Sequence, residues 1–138
     1  MSTSLSLLRQ QRSTVLKGIS NSKEQIIILA DKISRLRAAS TNLQKSISEL
    51  ESNKRQVDSL SIENNRWSGT NETKFLNKYD AYRDSVKSFL GDTINAKEDI
   101  EDTIRRLEDS KAAYINGLNN LQSTLSSIEY KISHVKVE

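Results

Sequence analysis

Ser61-Ile62-Glu63-Asn64-Asn65-Arg66-Trp67-Ser68-Gly69-Thr70 is the stretch in which the apolar rhythm of this chain fails. It gathers Asn, Ser and Gly, residues that bond locally to the backbone or tolerate positive φ, and so reads as a turn. Upstream of it, Val15, Ile19, Ile26, Leu29, Ile33, Leu36, Leu43, Ile47, Leu50 and Val57 recur in alternating steps of four and three, with Ser22, Ser40 and Lys54 filling the same register. That spacing predicts one long helix with a narrow buried stripe. Leu5 and Leu8 carry the apolar side towards the N-terminus.

Downstream, the rhythm resumes in an aromatic-rich form through Phe75, Tyr79, Tyr82, Val86 and Phe89, then Thr93, Ala96 and Ile100. It continues as Ile104, Leu107, Lys111, Tyr114, Leu118, Leu121, Leu125, Ile128, Ile132 and Val135. Ala96 to Ile100 to Ile104 are two successive four-residue steps, which break the strict heptad; with Gly91 just upstream, they predict a bend near 90–96. Proline is absent and glycine occurs four times, which suits long uninterrupted helices. The expected fold is all-α: a long antiparallel two-helix hairpin, coiled-coil-like, forming one domain over 1–138. Its boundaries are a helix over about 4–60, a turn over 61–70 and a helix over about 71–135.

Composition narrows the function. Only 35% of residues are apolar and 5% aromatic, too few for a thick globular core. The net charge of +3 is unevenly spread: residues 1–66 carry eleven Lys/Arg against six Asp/Glu, residues 67–138 ten against twelve. An antiparallel fold would therefore bring the acidic stretch Glu98, Asp99, Glu101, Asp102, Glu108 and Asp109 beside Lys23, Lys32, Arg35 and Arg37, setting register and orientation more than stability. The longest apolar run, Ile26-Ile27-Ile28-Leu29-Ala30, is far too short to span a bilayer, and the first residues lack a basic start followed by an apolar run. Neither membrane insertion nor a cleaved signal peptide is expected.

Chemistry is sparse. There is no cysteine, hence no disulfide or thiolate metal site. His134 is the single histidine and neighbours no cluster of metal ligands, so it reads as a surface residue. The carboxylates of 98–109 sit on helix without the turn-forming loop a calcium site needs. No phosphate-cradling glycine loop or nucleophile motif is present. No catalytic, metal or cofactor-binding residue is assigned; no enzyme activity is expected. Basic residues in the first arm are interspersed with acids and lack an aromatic platform, which argues against nucleic acid. Tyr79, Tyr82, Phe89 and Leu90 widen the apolar stripe beyond one seam, so a second hairpin completing a four-helix bundle is expected. Phe75, Tyr79, Tyr82, Val86 and Phe89 are the candidate partner-binding residues.

Trp67-Ser68-Gly69 followed by Phe75 forms the pattern W-x-G-x(5)-F. In this the sequence resembles the WXG superfamily of helical hairpins associated with type VII secretion in Gram-positive bacteria. Its long arms and its start, Leu5-Ser6-Leu7-Leu8-Arg9-Gln10-Gln11, are most similar to the YwqH-like subfamily. The resemblance marks Trp67 and Gly69 as the turn motif. It implies a non-enzymatic adaptor or chaperone that binds the helical N-terminal domain of an LXG-type polymorphic toxin, or another small WXG-like protein, and aids type VII secretion. A self-assembling structural coiled coil, acting as a homodimer without a secretion role, is the alternative. The implied location is the cytoplasm, with export through the type VII machine without a cleaved signal peptide as the route out. Many superfamily members carry a Tyr-x-x-x-Asp/Glu export signal; here Tyr114 is followed four places on by Leu118 and Tyr130 by His134, so either a partner supplies the signal or this protein is an adaptor that the translocase does not itself recognise.

Overall fold

The computed structural model describes residues 2–60 and 70–135, with the side chains at 2, 3, 60, 70–73 and 75 outside that description. Trp67 and Gly69 of the expected turn also lie outside the described residues. Two helices account for the architecture: α1, Ser2–Leu60, and α2, Thr70–Ser133. They pack against each other, as the two apolar rhythms predict. Their ends lie within two residues of the pattern-based boundaries.

Serine and threonine are poor helix formers because their hydroxyls compete for backbone groups. Here many of them are accommodated by bonding back one turn. Thr14 donates to the Gln10 carbonyl, Thr41 to Arg37, Thr93 to Phe89, Thr103 to Asp99 and Thr124 to Asn120, at 2.8 to 3.1 Å. Each hydroxyl thus finds an acceptor without interrupting the helical ladder. α2 closes with a tightened last turn, in which the Ser133 hydroxyl donates to the Tyr130 carbonyl at 2.7 Å and His134 stacks on the Tyr130 ring.

Thirteen positions of α1 from Val15 to Val57, including Ser22, Ser40 and Lys54, make up the expected stripe, and all thirteen are buried or half-buried. α2 departs from expectation. Tyr82, Phe89, Ala96 and Tyr114 are exposed, while Leu90 and Lys97 are half-buried and occupy the seam with Val86, Thr93, Ile100 and Ile104. Taken through Leu90 and Lys97, the steps alternate three and four without a break, so the heptad interruption inferred at Ala96 does not exist. The cause is Lys97: its hydrocarbon stem lies in the seam while its ammonium reaches Glu101 in its own helix at 2.5 Å, so a charged residue holds an apolar position. α2 also runs through Gly91 as continuous helix, in place of the expected bend.

The chain divides into two compact units, each drawing on both helices: Met1–Arg35 with Ile104–Glu138, and Leu36–Thr103. In the first, Arg12 meets Glu129 and Gly18 meets Leu121. In the second, Ser40 meets Glu101 and Val57 meets Tyr79. In both, partners on α2 fall in number as those on α1 rise, so each unit is an antiparallel helix pair. The first unit's core is Val15, Ile19 and Ile128, flanked by Leu8, Leu118, Leu121, Leu125 and Ile132. Gly18 permits this approach, because a Cβ there would sit 3.1 Å from Leu121 Cδ1.

Burial is a single layer deep. Ile33 and Ile47, each 5% exposed, are the most enclosed of the buried apolar residues, and among the described residues no large side chain falls below 2%. Truncating Ile47 to Ala should therefore cost about 2–5 kcal/mol, read as a lowered midpoint in thermal or urea unfolding followed by circular dichroism. Gly91 tests the opposite sign. No atom lies within 4 Å of where its Cβ would be, so Gly91→Ala should raise stability by about 0.5–1 kcal/mol through helix propensity alone. A loss of stability would mean that the glycine is required for local backbone geometry.

Candidate interaction surface

Tyr79, which belonged to the candidate partner-binding set, is 8% exposed and faces α1 of its own unit. Its hydroxyl donates to the Val57 carbonyl at 2.6 Å. Val57 lies in the last four residues of α1, whose carbonyls a helix cannot satisfy internally. Tyr79 thus caps α1 from across the helix pair. Val86 is likewise half-buried in the seam. Phe75 lies on α2, seven residues before Tyr82, and its side chain is outside the described residues.

Tyr82 and Phe89 remain for an outside partner, 53% and 60% exposed. They are one heptad apart and hence about 10 Å apart along one face of α2. Phe89 immediately precedes Leu90 of the seam and Tyr82 lies one heptad before Phe89, which sets both on the flank of the helix pair. A tyrosine and a phenylalanine at this exposure are more costly to leave in water than scattered aliphatic residues, because each aromatic ring carries a large apolar area.

The first unit carries a different surface. On one side Arg12 Nε pairs with Glu129 Oε1 across the two helices at 3.3 Å. Elsewhere in the unit a groove opens between the helices, with Val15 and Ile128 at its floor and Leu7, 53% exposed, on its wall. Its remaining lining is hydroxyl, amide and ammonium: Gln10, Gln11, Thr14, Thr124, Ser127 and Lys131. The heptad position that holds Tyr82 and Phe89 in the second unit is held here by Ser110, Gly117, Thr124 and Lys131. Of these, Thr124 and Lys131 line the groove.

Several charges of both arms pair within their own helix. Arg35 bonds Asp31 one turn away, Lys54 lies 3.5 Å from Asp58, and Glu101 takes Lys97. Glu101 also accepts a hydrogen bond from Ser40 of α1 at 3.4 Å, which places it opposite the first arm as the antiparallel register requires. Exposed pairs of this kind contribute roughly 0.2–1 kcal/mol each.

No helix among the described residues is long and apolar enough to cross a membrane. Among the same residues, no group of three or more His, Cys, Asp or Glu side chains is placed to hold a metal ion.

The model of the YwqH-like family matches residues 10–130. The chain belongs to the YwqH-like family. The match takes in both helices, so membership describes the hairpin rather than the turn motif alone. No curated protein and no solved structure matches significantly.

Of the five candidate residues, the structure therefore sets Tyr79 and Val86 in the intramolecular seam and Tyr82 and Phe89 on the exposed flank. The polar groove of the first unit was not legible, since nothing in an apolar pattern marks an opening lined by Gln, Thr and Ser. Tyr79→Phe separates the two roles. It should lower stability by about 0.5–1.5 kcal/mol through the lost bond to Val57, whereas Tyr82→Phe should leave the unfolding midpoint unchanged.

Proposed function

We propose that this YwqH-like protein is a non-enzymatic adaptor or chaperone that binds the helical N-terminal domain of an LXG-type toxin and aids its type VII secretion. The observation carrying this reading is the pair of exposed aromatics, Tyr82 and Phe89, on the flank of a helix pair that cannot enclose them. Two helices make one seam, and a residue beside that seam is covered only by a third or fourth helix. Membership of the YwqH-like family over 10–130 supports the same reading, since an adaptor for an LXG-type toxin is what the resemblance to that family implies.

In this role, binding energy comes from the aromatic flank and specificity from the charges around it. Asp80, Arg83, Asp84 and Lys87 neighbour Tyr82 and Phe89 in α2 and are exposed. A matching charge pattern on the partner would select register, while mismatched charges would penalise a wrong one. The adaptor works in the cytoplasm, where it shields the apolar surface of the toxin's targeting domain. The export signal is read on the partner, because no tyrosine of this chain is followed four places on by Asp or Glu.

Self-assembly is the second reading, favoured by the same exposed aromatics, which another copy would cover equally well. Light scattering of the purified chain, alone and with the helical domain of an LXG-type toxin encoded beside it, separates the two. The adaptor reading expects a heteromeric complex that forms at the expense of any self-association. It also expects Tyr82→Ser with Phe89→Ser to weaken that complex by about 2–4 kcal/mol, as for buried aromatic anchors, with the circular dichroism melt unchanged. A stable homodimer indifferent to the toxin domain would establish self-assembly instead.

A further inference from the structure

The groove of the first unit differs from the aromatic flank in chemistry as well as place. Apart from its apolar floor and Leu7, its lining is polar: the amides of Gln10 and Gln11, the Ser127 hydroxyl and the Lys131 ammonium can donate, while the Thr14 and Thr124 hydroxyls already donate to the Gln10 and Asn120 carbonyls. No carboxylate lines it. Glu129, the acid nearest in sequence to Lys131 and Ile128, is held away by Arg12. The unit as a whole, Met1–Arg35 with Ile104–Glu138, carries eleven Lys/Arg against six Asp/Glu, a net charge of +5. The second unit, Leu36–Thr103, carries ten against twelve, a net charge of −2.

We propose that this groove is a second docking surface and that it takes an acidic amphipathic helix. The apolar ridge of such a helix would rest on Leu7 and on the exposed edges of Val15 and Ile128. Its Glu or Asp side chains would accept from the glutamine amides and the Lys131 ammonium, and it is the ammonium, with three donors and no acceptor, that favours a carboxylate over a cation. A basic helix would meet the +5 field with no acid in the groove to receive it. A nucleic-acid duplex would satisfy the field but leave Leu7 uncovered, since phosphate contacts bury little apolar surface. The proposal does not depend on the adaptor reading, because it rests on a different unit and on a separate set of side chains.

The test uses the full chain and two fluorescent designed peptides of about three heptads, identical in their Leu ridge, one with Glu and one with Lys on the remaining positions. Fluorescence anisotropy should show the Glu peptide binding at least about tenfold more tightly than the Lys peptide, with affinity falling as salt rises. Leu7→Asp, and separately Lys131→Glu, should each weaken the Glu peptide by about five- to tenfold, with circular dichroism confirming that the variants stay helical. Tyr82→Ser with Phe89→Ser should leave this binding within about twofold, which distinguishes the groove from the aromatic flank even if no toxin domain binds. Equal binding of both peptides, or no effect of either groove variant, overturns the proposal. So does displacement of the Glu peptide by duplex DNA at equal concentration. A concentration-dependent dimer that Leu7→Asp dissolves, with no peptide binding, assigns the groove to a second copy of this chain and also overturns it.

Discussion

A single-layer seam, alternating in steps of three and four along two antiparallel helices, is the constraint from which the rest of this protein follows. Two helices can bury one ridge each and no more, so even Ile33 and Ile47 keep a twentieth of their surface in water. A residue one position to the side of the ridge is already on the flank. That narrowness makes the seam sensitive to every residue placed in it, and it leaves apolar side chains outside it for another molecule to cover.

The polar members of the seam show how the constraint is met. Ser22 and Thr93 are buried, and Ser40, Lys54 and Lys97 are half-buried, at positions where Leu or Ile would bury more apolar surface. Thr93 is satisfied by the Phe89 carbonyl, and Lys97 and Ser40 converge on Glu101. Such groups contribute little stability but penalise a shifted register, in which they would face apolar neighbours. Tyr79 acts at the other end of the same unit. By donating to Val57 it ties α2 to the last turn of α1, where the helix has a carbonyl to spare.

The surfaces beside the seam divide by composition. In the second unit the heptad position beside the seam of α2 carries Tyr82 and Phe89; in the first unit it carries Ser110, Gly117, Thr124 and Lys131, the last two lining a polar groove. At that one position the hairpin presents exposed aromatics in one unit and a recess bearing a lysine in the other. These suit different partner chemistries, a property of which side chains stand at one repeated position rather than of the backbone.

The sequence by itself determined that there are two helices, where each runs, and which thirteen positions of α1 face inwards, because a 4-3 apolar rhythm uninterrupted by proline has one low-energy solution. It also placed the export-signal departure, which needs no structure. The tertiary structure decided the face of α2. Between Phe89 and Leu90, and between Ala96 and Lys97, hydropathy favours neither strongly, and a lysine can bury its stem while its charge reaches a carboxylate one turn away. Only the packing against α1 selects Leu90 and Lys97. The same packing turned Tyr79 from a candidate contact into a cap and left Tyr82 and Phe89 for a partner. It also opened the groove beside Leu7, whose polar lining comes from residues more than a hundred positions apart and is invisible to any local pattern.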